Sequence, residues 1–314
     1  MKKLIIIAFG GNALLKTGQK GTIEEQRSNI YQTLQSVFPL IKEGHKLIIT
    51  HGNGPQVGNI LLKNDAGESV YNVPQVPLDV AVANTQSEIG YMIQSELYNI
   101  LKENNIDREL LSTNTMVEVS ADDVAFQNPT KRVGKTYYDQ SEVNKITADK
   151  GWTFKEEVKD GKKGWRRVVP SPKPLDIANK NTIKLLAENG TIVIAVGGGG
   201  IPVSVKNNKI VPQEAVIDKD LATSLLANQI SADQFIVLTD VQYVYLDYGT
   251  EQQKPLETIT RDYAVELMQA GKFGEGNMAP KIQAALNFIE AGGKEVLITD
   301  LEGLRLQKGT MIVR

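Results

Sequence analysis

Residues Thr191–Val203 read TIVIAVGGGGIPV, six apolar or β-branched residues running into four glycines. Ile and Val without polar alternation suit a strand covered on both faces, as in a parallel α/β sheet. Glycines at its carboxyl end leave backbone N–H groups open to an anion such as a phosphate. Two other stretches repeat the pattern, LIIIAFGGNA at 4–13 and KLIITHGNGPQVG at 46–58. Three apolar strands thus end in glycine loops, and open α/β sheets bind ligands at the carboxyl ends of their strands.

Working outward, Thr22-Ile-Glu-Glu25 resembles a capping box, followed by Ile30, Leu34, Val37, Phe38 and Ile41 at helical spacing. Pro55 suits the first turn of a second helix whose N-terminus faces the loop's ligand. Proline and glycine punctuate 67–77, a long helix follows over about 78–103, and 109–119 reads as one strand. From Asp122 to Lys173 the β/α order is interrupted by Lys, Arg, Gly, Pro and paired aromatics, which predicts an inserted subdomain over 122–173 within a single 1–314 domain. The alternation then resumes. Helix 176–189, the glycine strand, a hairpin at Asn207-Asn208, helix 220–230, strand 234–239, helices 260–270 and 280–291, and strand 294–299 complete an α/β fold.

The 314 residues carry a net charge of −2, no cysteine and two histidines. This balance argues against nucleic acid or an anionic membrane as the main partner, and it excludes disulfides and thiolate chemistry. With two histidines and no recognisable carboxylate spacing, no protein metal site is expected. The start, MKKLIIIAFGG, has a signal-like charge and apolar run, but the run is short and leads into glycines, so it reads as the first core strand. No stretch approaches a membrane span.

Three lysines stand in unusual contexts. Lys131 follows Phe-Gln-Asn-Pro-Thr in a turn-forming stretch of the insert, Lys219 lies between Asp218 and Asp220 at a helix start, and Lys281 lies in the first turn of a helix behind Pro280. A cation at a helix N-terminus is disfavoured by the dipole and needs a compensating anion. Asp220 can hold Lys219, and either aspartate can cap the helix. Glycine loops with lysines fit phosphoryl transfer, which demands positioning and charge neutralisation. Neither a Walker sequence nor a dinucleotide-binding glycine fingerprint is present. His51, at the end of a strand, reads as structural rather than as a general base, and His45 as exposed. Trp165-Arg166-Arg167 and Tyr137-Tyr138 read as parts of a folded insert. Asp240, at the end of FIVLT, reads either as a nucleotide-binding group or as a plain turn residue.

Taken together, GGNALL from Gly10, THGNGPQVGN from Thr50, FQNPTKRVG from Phe126, GWRRVVPSPKP from Gly164, GGGGIPV from Gly197, EAVIDKDLA from Glu214 and MAPK from Met278 closely resemble the carbamate kinases, a branch of the amino acid kinase family. The resemblance runs nearly the whole chain. It implies a three-layer αβα sandwich with a mostly parallel central sheet and a small protruding subdomain, a homodimer, a cytoplasmic location, and Mg2+ brought with ATP or ADP. The implied reaction is reversible transfer between ATP and carbamate, giving ADP and carbamoyl phosphate, often run toward ATP in arginine catabolism. In that reading Lys131 reaches the transferring phosphoryl group from the insert, Lys219 and Lys281 neutralise charge from the nucleotide side, and Asp220 orients the lysines. Gly10, Gly11 and Asn12 face the transferred phosphate, while Gly52, Asn53 and Gly54 hold carbamate. Gly198, Gly199, Asp218, Asp240 and Met278 line the nucleotide. Asn277 stands where the branch usually has serine, and Arg132 where a proline commonly follows the lysine. Two other readings remain: a kinase of the same fold acting on another small carboxylate, and a nucleotide-sensing protein without catalysis.

Overall fold

The computed structural model describes residues 2–16, 18–159, 161–273 and 278–314. In chain order its elements begin with β1 (Leu4–Phe9), α1 (Ile23–Lys42), β2 (Lys46–His51), α2 (Gly54–Tyr71), α3 (Leu78–Glu103), β3 (Leu110–Ser112) and β4 (Met116–Val119). The insert follows with β5 (Lys131–Tyr137), α4 (Gln140–Lys150), β6 (Thr153–Lys159) and β7 (Lys162–Val169), and β8 (Pro174–Ile177) returns from it. Then come α5 (Lys180–Glu188), β9 (Ile192–Ile194), β10 (Ile201–Lys206), β11 (Lys209–Pro212), α6 (Lys219–Gln229) and β12 (Gln234–Leu238). The chain closes with β13 (Val244–Leu246), β14 (Lys254–Leu256), β15 (Thr258–Thr260), α7 (Arg261–Gln269), α8 (Met278–Glu290), β16 (Glu295–Thr299), α9 (Leu301–Leu306) and β17 (Thr310–Val313).

β1 shows why the layers form. Its six residues are all buried, and the two-residue period sends Leu4, Ile6 and Ala8 into one core and Ile5, Ile7 and Phe9 into another. The first core is closed by α5, α6, α7 and α8, the second by α1, α3 and α9. The result is helices on both faces of an eight-stranded sheet ordered β15-β17-β16-β12-β1-β2-β9-β3. Its pairings are parallel except β16 with β17. After β1 the chain moves outward through β2 to β9 and later returns on the other side of β1 as β12 and β16. That reversal makes a crevice at the carboxyl ends of β2, β1 and β12.

Local chemistry sets the helix ends. Thr22 accepts from the Glu25 N–H at 3.3 Å while Glu25 accepts from the Thr22 N–H at 3.0 Å, the reciprocal cap expected for α1. Pro55 lies in the first turn of α2.

The structure corrects several expectations. β9 ends before the glycines as expected, but the chain beyond them is a further strand: β9 belongs to the large sheet, and β10 joins a four-stranded sheet ordered β11-β10-β4-β8. Residues 109–119 likewise split into β3 and β4, one in each sheet. The expected helix over 176–189 begins at Lys180, because Pro174–Ile177 pairs antiparallel with β4. α2 runs through the punctuated 67–71 and stops at Asn72 in a left-handed conformation. His45 is half-buried: its Nδ1 accepts from the Lys3 N–H at 3.0 Å.

The insert is a three-stranded antiparallel sheet, β5-β7-β6, with α4 beside it. β4 leads toward it and β8 returns. A small third cluster, with Val57 of α2, Val82 of α3, Val133 of β5 and Val169 of β7, fastens it to the rest. Gly58 permits this contact, since a Cβ there would lie 2.9 Å from Gly134 N. Lys150 adds ion pairs to Asp65 and Glu68 of α2. Arg167 stacks 3.8 Å above the Trp152 ring, and Tyr137 meets Phe154 edge-on, so these aromatics build the insert.

Candidate active site

A cavity of about 670 Å3 opens at the strand-order reversal, lined by Gly10 and Gly11 after β1, Gly52–Gly54 after β2, Thr239 and Asp240 after β12, and Lys131 from the insert. The first turn of α6 supplies Asp218, Lys219 and Asp220, and α8 supplies Lys281. Of the predicted site residues, Gly10, Gly11, Gly52, Asn53, Gly54, Lys131, Gly198, Asp218, Lys219, Asp220, Asp240 and Lys281 therefore meet at one place.

Three fall differently. Asn12 has its backbone in the turn Gly11–Ala13, and its side chain lies outside the described parts. Met278 packs against the larger core, and Gly199 lies beneath the cavity, where a Cβ would come within 2.4 Å of the Ile217 carbonyl oxygen. Asn277 lies outside the described residues.

The glycine run thus has a different physical reason from the one the sequence suggests. Gly198, Gly199 and Gly200 all have positive φ, and a Cβ on each would collide with Asn53, Ile217 and Val117 respectively. Close packing requires these glycines, and Gly198 is the one of the four that lines the cavity.

The lysines are held by two aspartates with separate tasks. Asp218 is the N-cap of α6: Oδ1 accepts from the N–H groups of Asp220 and Leu221 at 2.9 and 3.3 Å, and Oδ2 accepts from Lys131 Nζ at 2.9 Å. Burial pushes its carboxyl up, but Lys131, Lys219 and the Leu221 N–H outweigh burial and hold it at about 2. Asp220 is buried and takes Lys219 on one oxygen and Lys281, at 3.5 Å, on the other. The cap and the ion pairs thus coexist on one helical turn, which answers the sequence ambiguity. Burial pushes the Lys281 ammonium down, with Asp220 opposing. The arrangement presents three cations, from three parts of the chain, at one end of a strand-end cleft.

His51 is buried, with Nδ1 2.9 Å from the Gly52 carbonyl and Nε2 facing Gly197. Burial pushes its imidazole down to about 4, with the Gly52 carbonyl opposing and Lys219 reinforcing the shift. It is a neutral, enclosed residue at physiological pH. Sequence reading passed over other groups here. Gln56 lies on the cavity wall and donates to Gln26, which donates to the Gly21 carbonyl. Thr85 and Gln86 of α3 brace the loops, Gln86 donating to the Gly197 carbonyl at 2.8 Å. Gln56 lies within the quoted THGNGPQVGN motif, whereas Thr85 and Gln86 occupy ordinary positions of a helical pattern with no local signal.

Among the described residues no group of three or more His, Cys, Asp or Glu is set to hold a metal ion, and no helix is long and apolar enough to cross a membrane. Cavity, lysines and loops make a cationic cleft at the strand ends of an α/β sandwich. A model of the amino acid kinase family matches residues 3–300, and the chain belongs to that family. Within it, the chain is 47% identical to the carbamate kinase of Pyrococcus horikoshii over 96% of this chain and 95% of the relative, and 42% identical to that of Oenococcus oeni over 98% and 96%. Among solved structures, carbamate kinase from Giardia lamblia bound to AMP-PNP superposes with a TM-score of 0.91 at 39% identity, covering 99% of this chain and 98% of that one.

Proposed function

We propose that the protein transfers a phosphoryl group reversibly between ATP and carbamate, giving ADP and carbamoyl phosphate, and that it works toward ATP in arginine catabolism. The observation that carries this reading is the convergence of Lys131, Lys219 and Lys281 on one cleft, held by Asp218 and Asp220. Such transfer needs little covalent help from the protein; alignment and charge neutralisation supply most of the acceleration. Carbamate attacks through an oxygen that is already anionic, so no base is required, in keeping with a neutral, enclosed His51.

In this reading the loops at Gly10–Gly11 and Gly52–Gly54 seat the acceptor and the transferring phosphoryl group between β1 and β2. Lys219 and Lys281 neutralise charge from the nucleotide side, with Asp220 fixing both ammonium groups. Gly198, Asp218 and Asp240 face the nucleotide, and Gly199 and Met278 act from behind the cavity wall. Lys131 leaves Asp218 to meet the transferring group, carried by an insert that closes as a lid and excludes water. The donor set fits a magnesium ion that arrives with the nucleotide, since the cleft offers carboxylates such as Asp240 but, among the described residues, no group of three set to cage an ion. When bound, the ion neutralises and aligns the phosphate oxygens. The working form is a cytoplasmic homodimer.

Coupled ATP formation from ADP and carbamoyl phosphate, with acceptors compared in the reverse direction by ADP release, tests the reading. Turnover that stops on exhaustive chelation, with carbamate preferred over N-acetylated amino acids, is expected. Turnover unaffected by chelation contradicts the metal requirement. Preference for a larger carboxylate favours the other kinase reading, and nucleotide binding without transfer favours a sensor.

A further inference from the structure

The acceptor side of the cleft contains an oxygen whose presence an anion alone does not explain. Asn53, the N-cap residue of α2, is 4% exposed and lines the cavity. Its Nδ2 donates to Thr85 Oγ1 at 2.9 Å, and Thr85 Oγ1 lies 2.6 Å from the Val82 carbonyl oxygen. Two oxygens that close must share a proton, so the single hydroxyl proton of Thr85 is committed to Val82 and the hydroxyl can only accept from Asn53. This fixes which way the amide faces. Its Nδ2 points to the fully buried Thr85, and Oδ1, which receives no hydrogen bond among the described residues, is left as an acceptor. Gly198 holds the amide from the other side, since a Cβ there would come within 2.2 Å of Nδ2.

The surroundings otherwise favour anions. α2 begins here with its unpaired N–H groups, and the Lys219 stem packs against Gly52, 3.4 Å from where a Cβ would sit. A carboxylate oxygen placed against Asn53 Oδ1 would meet a second lone pair. The group that suits this position is therefore the third substituent of the acceptor, and it must donate. Carbamate brings an NH2 there, whereas its isostere acetate brings a methyl group.

Resting on the carbamate reading above, we infer that Thr85 is a positioning residue that fixes Asn53 Oδ1 as the acceptor for the carbamate N–H, so that the site selects a carboxylate bearing an amino group over one bearing a methyl group. A site built to hydrogen-bond a substrate group rejects the analogue lacking it, because its own buried polar atom is left unpaired.

The test is ATP formation from ADP with carbamoyl phosphate or acetyl phosphate, donors that differ only in NH2 against CH3, in wild type, Thr85→Val and Thr85→Ser. The wild type should prefer carbamoyl phosphate strongly in kcat/KM. Thr85→Val keeps the side-chain shape but leaves the amide unfixed, and its preference should fall about tenfold through KM for carbamoyl phosphate, with KM for ADP unmoved. Thr85→Ser, retaining the hydroxyl, should restore the preference. A merely structural role would depress both donors equally, and an unchanged ratio in Thr85→Val, or equal use of both donors by the wild type, overturns the inference while leaving the kinase reading intact. A wild type that uses neither donor removes the proposed reaction and this inference with it.

Discussion

The central sheet and the insert are built on opposite principles. β1, β2, β9 and β12 bury nearly every side chain between two apolar layers, and their register follows from alternation alone. In the insert, β6 and β7 carry TFKEEVK and KKGWRRVV, charge-rich strands with mostly exposed or half-buried side chains, and a small valine cluster joins this sheet to α2 and α3. Buried layers fix their elements by area removed from water, whereas a small contact leaves a segment free to rearrange at low cost. The proposed roles divide the same way: Lys219, Asp220 and Lys281 stand on helices packed against the main sheet, and Lys131 stands on the insert.

The largest effect should come from the rigid half. Lys219→Ala should lower turnover on the order of 100-fold or more, while Lys281 still covers Asp220 and limits the fall in melting temperature to a few degrees. A loss below about threefold, measured by coupled ATP formation, would remove Lys219 from the mechanism.

Next is the pH response of the rigid half. Because the folded His51 imidazole sits at about 4, below its ordinary 6.5, the unfolded chain binds the extra proton first as pH falls. Stability from this group is complete above about pH 6.5 and is lost as pH drops toward 4, by roughly 3 kcal/mol across the window. Urea unfolding of wild type and His51→Asn between pH 7.5 and 4.5 should show this extra slope in the wild type only; parallel curves contradict it.

The joint between the halves gives a smaller effect. Gly58→Ala places a methyl 2.9 Å from the Gly134 backbone, which must shift, so the insert should seat poorly at a cost of about 1–3 kcal/mol. Carbamoyl phosphate turnover should fall while ADP affinity holds; loss of ADP binding would mean that the joint shapes both halves. Smallest of all is the insert surface, where Lys163 pairs with Glu156 at 2.8 Å with both side chains mostly exposed. Lys163→Ala should change stability by under about 0.5 kcal/mol in urea unfolding.

The same division explains what was legible in the sequence. LIIIAF, KLIITH and QFIVL announce buried strands, and Thr22 with Glu25 announces a helix start, because period and capping are local signals. The insert's strands lack an apolar run, so the break in β/α order was readable and the antiparallel sheet was not. The end of Pro174–Ile177, from Asp176 on, merged with the helix after it, since four residues carry too little period to separate strand from helix. Within the site, Lys219 showed itself by its unfavourable place at a helix start between two acids, Lys281 by its first-turn position behind Pro280, and Lys131 by its turn-forming context. The pairing of Lys131 with Asp218 spans 87 residues and exists only through the fold. Thr85 was silent for the same reason: its partner Asn53 lies 32 residues away.

The central claim is that the sheet half binds the nucleotide and the insert brings the charge for transfer. Its most direct test is Lys131→Ala in single-turnover ATP formation from carbamoyl phosphate, beside calorimetric ADP affinity. Transfer slowed on the order of 100-fold with ADP affinity within about threefold of wild type is the expected result. Transfer close to the wild-type rate, or ADP binding lost in step with it, would contradict the division of labour between the two regions.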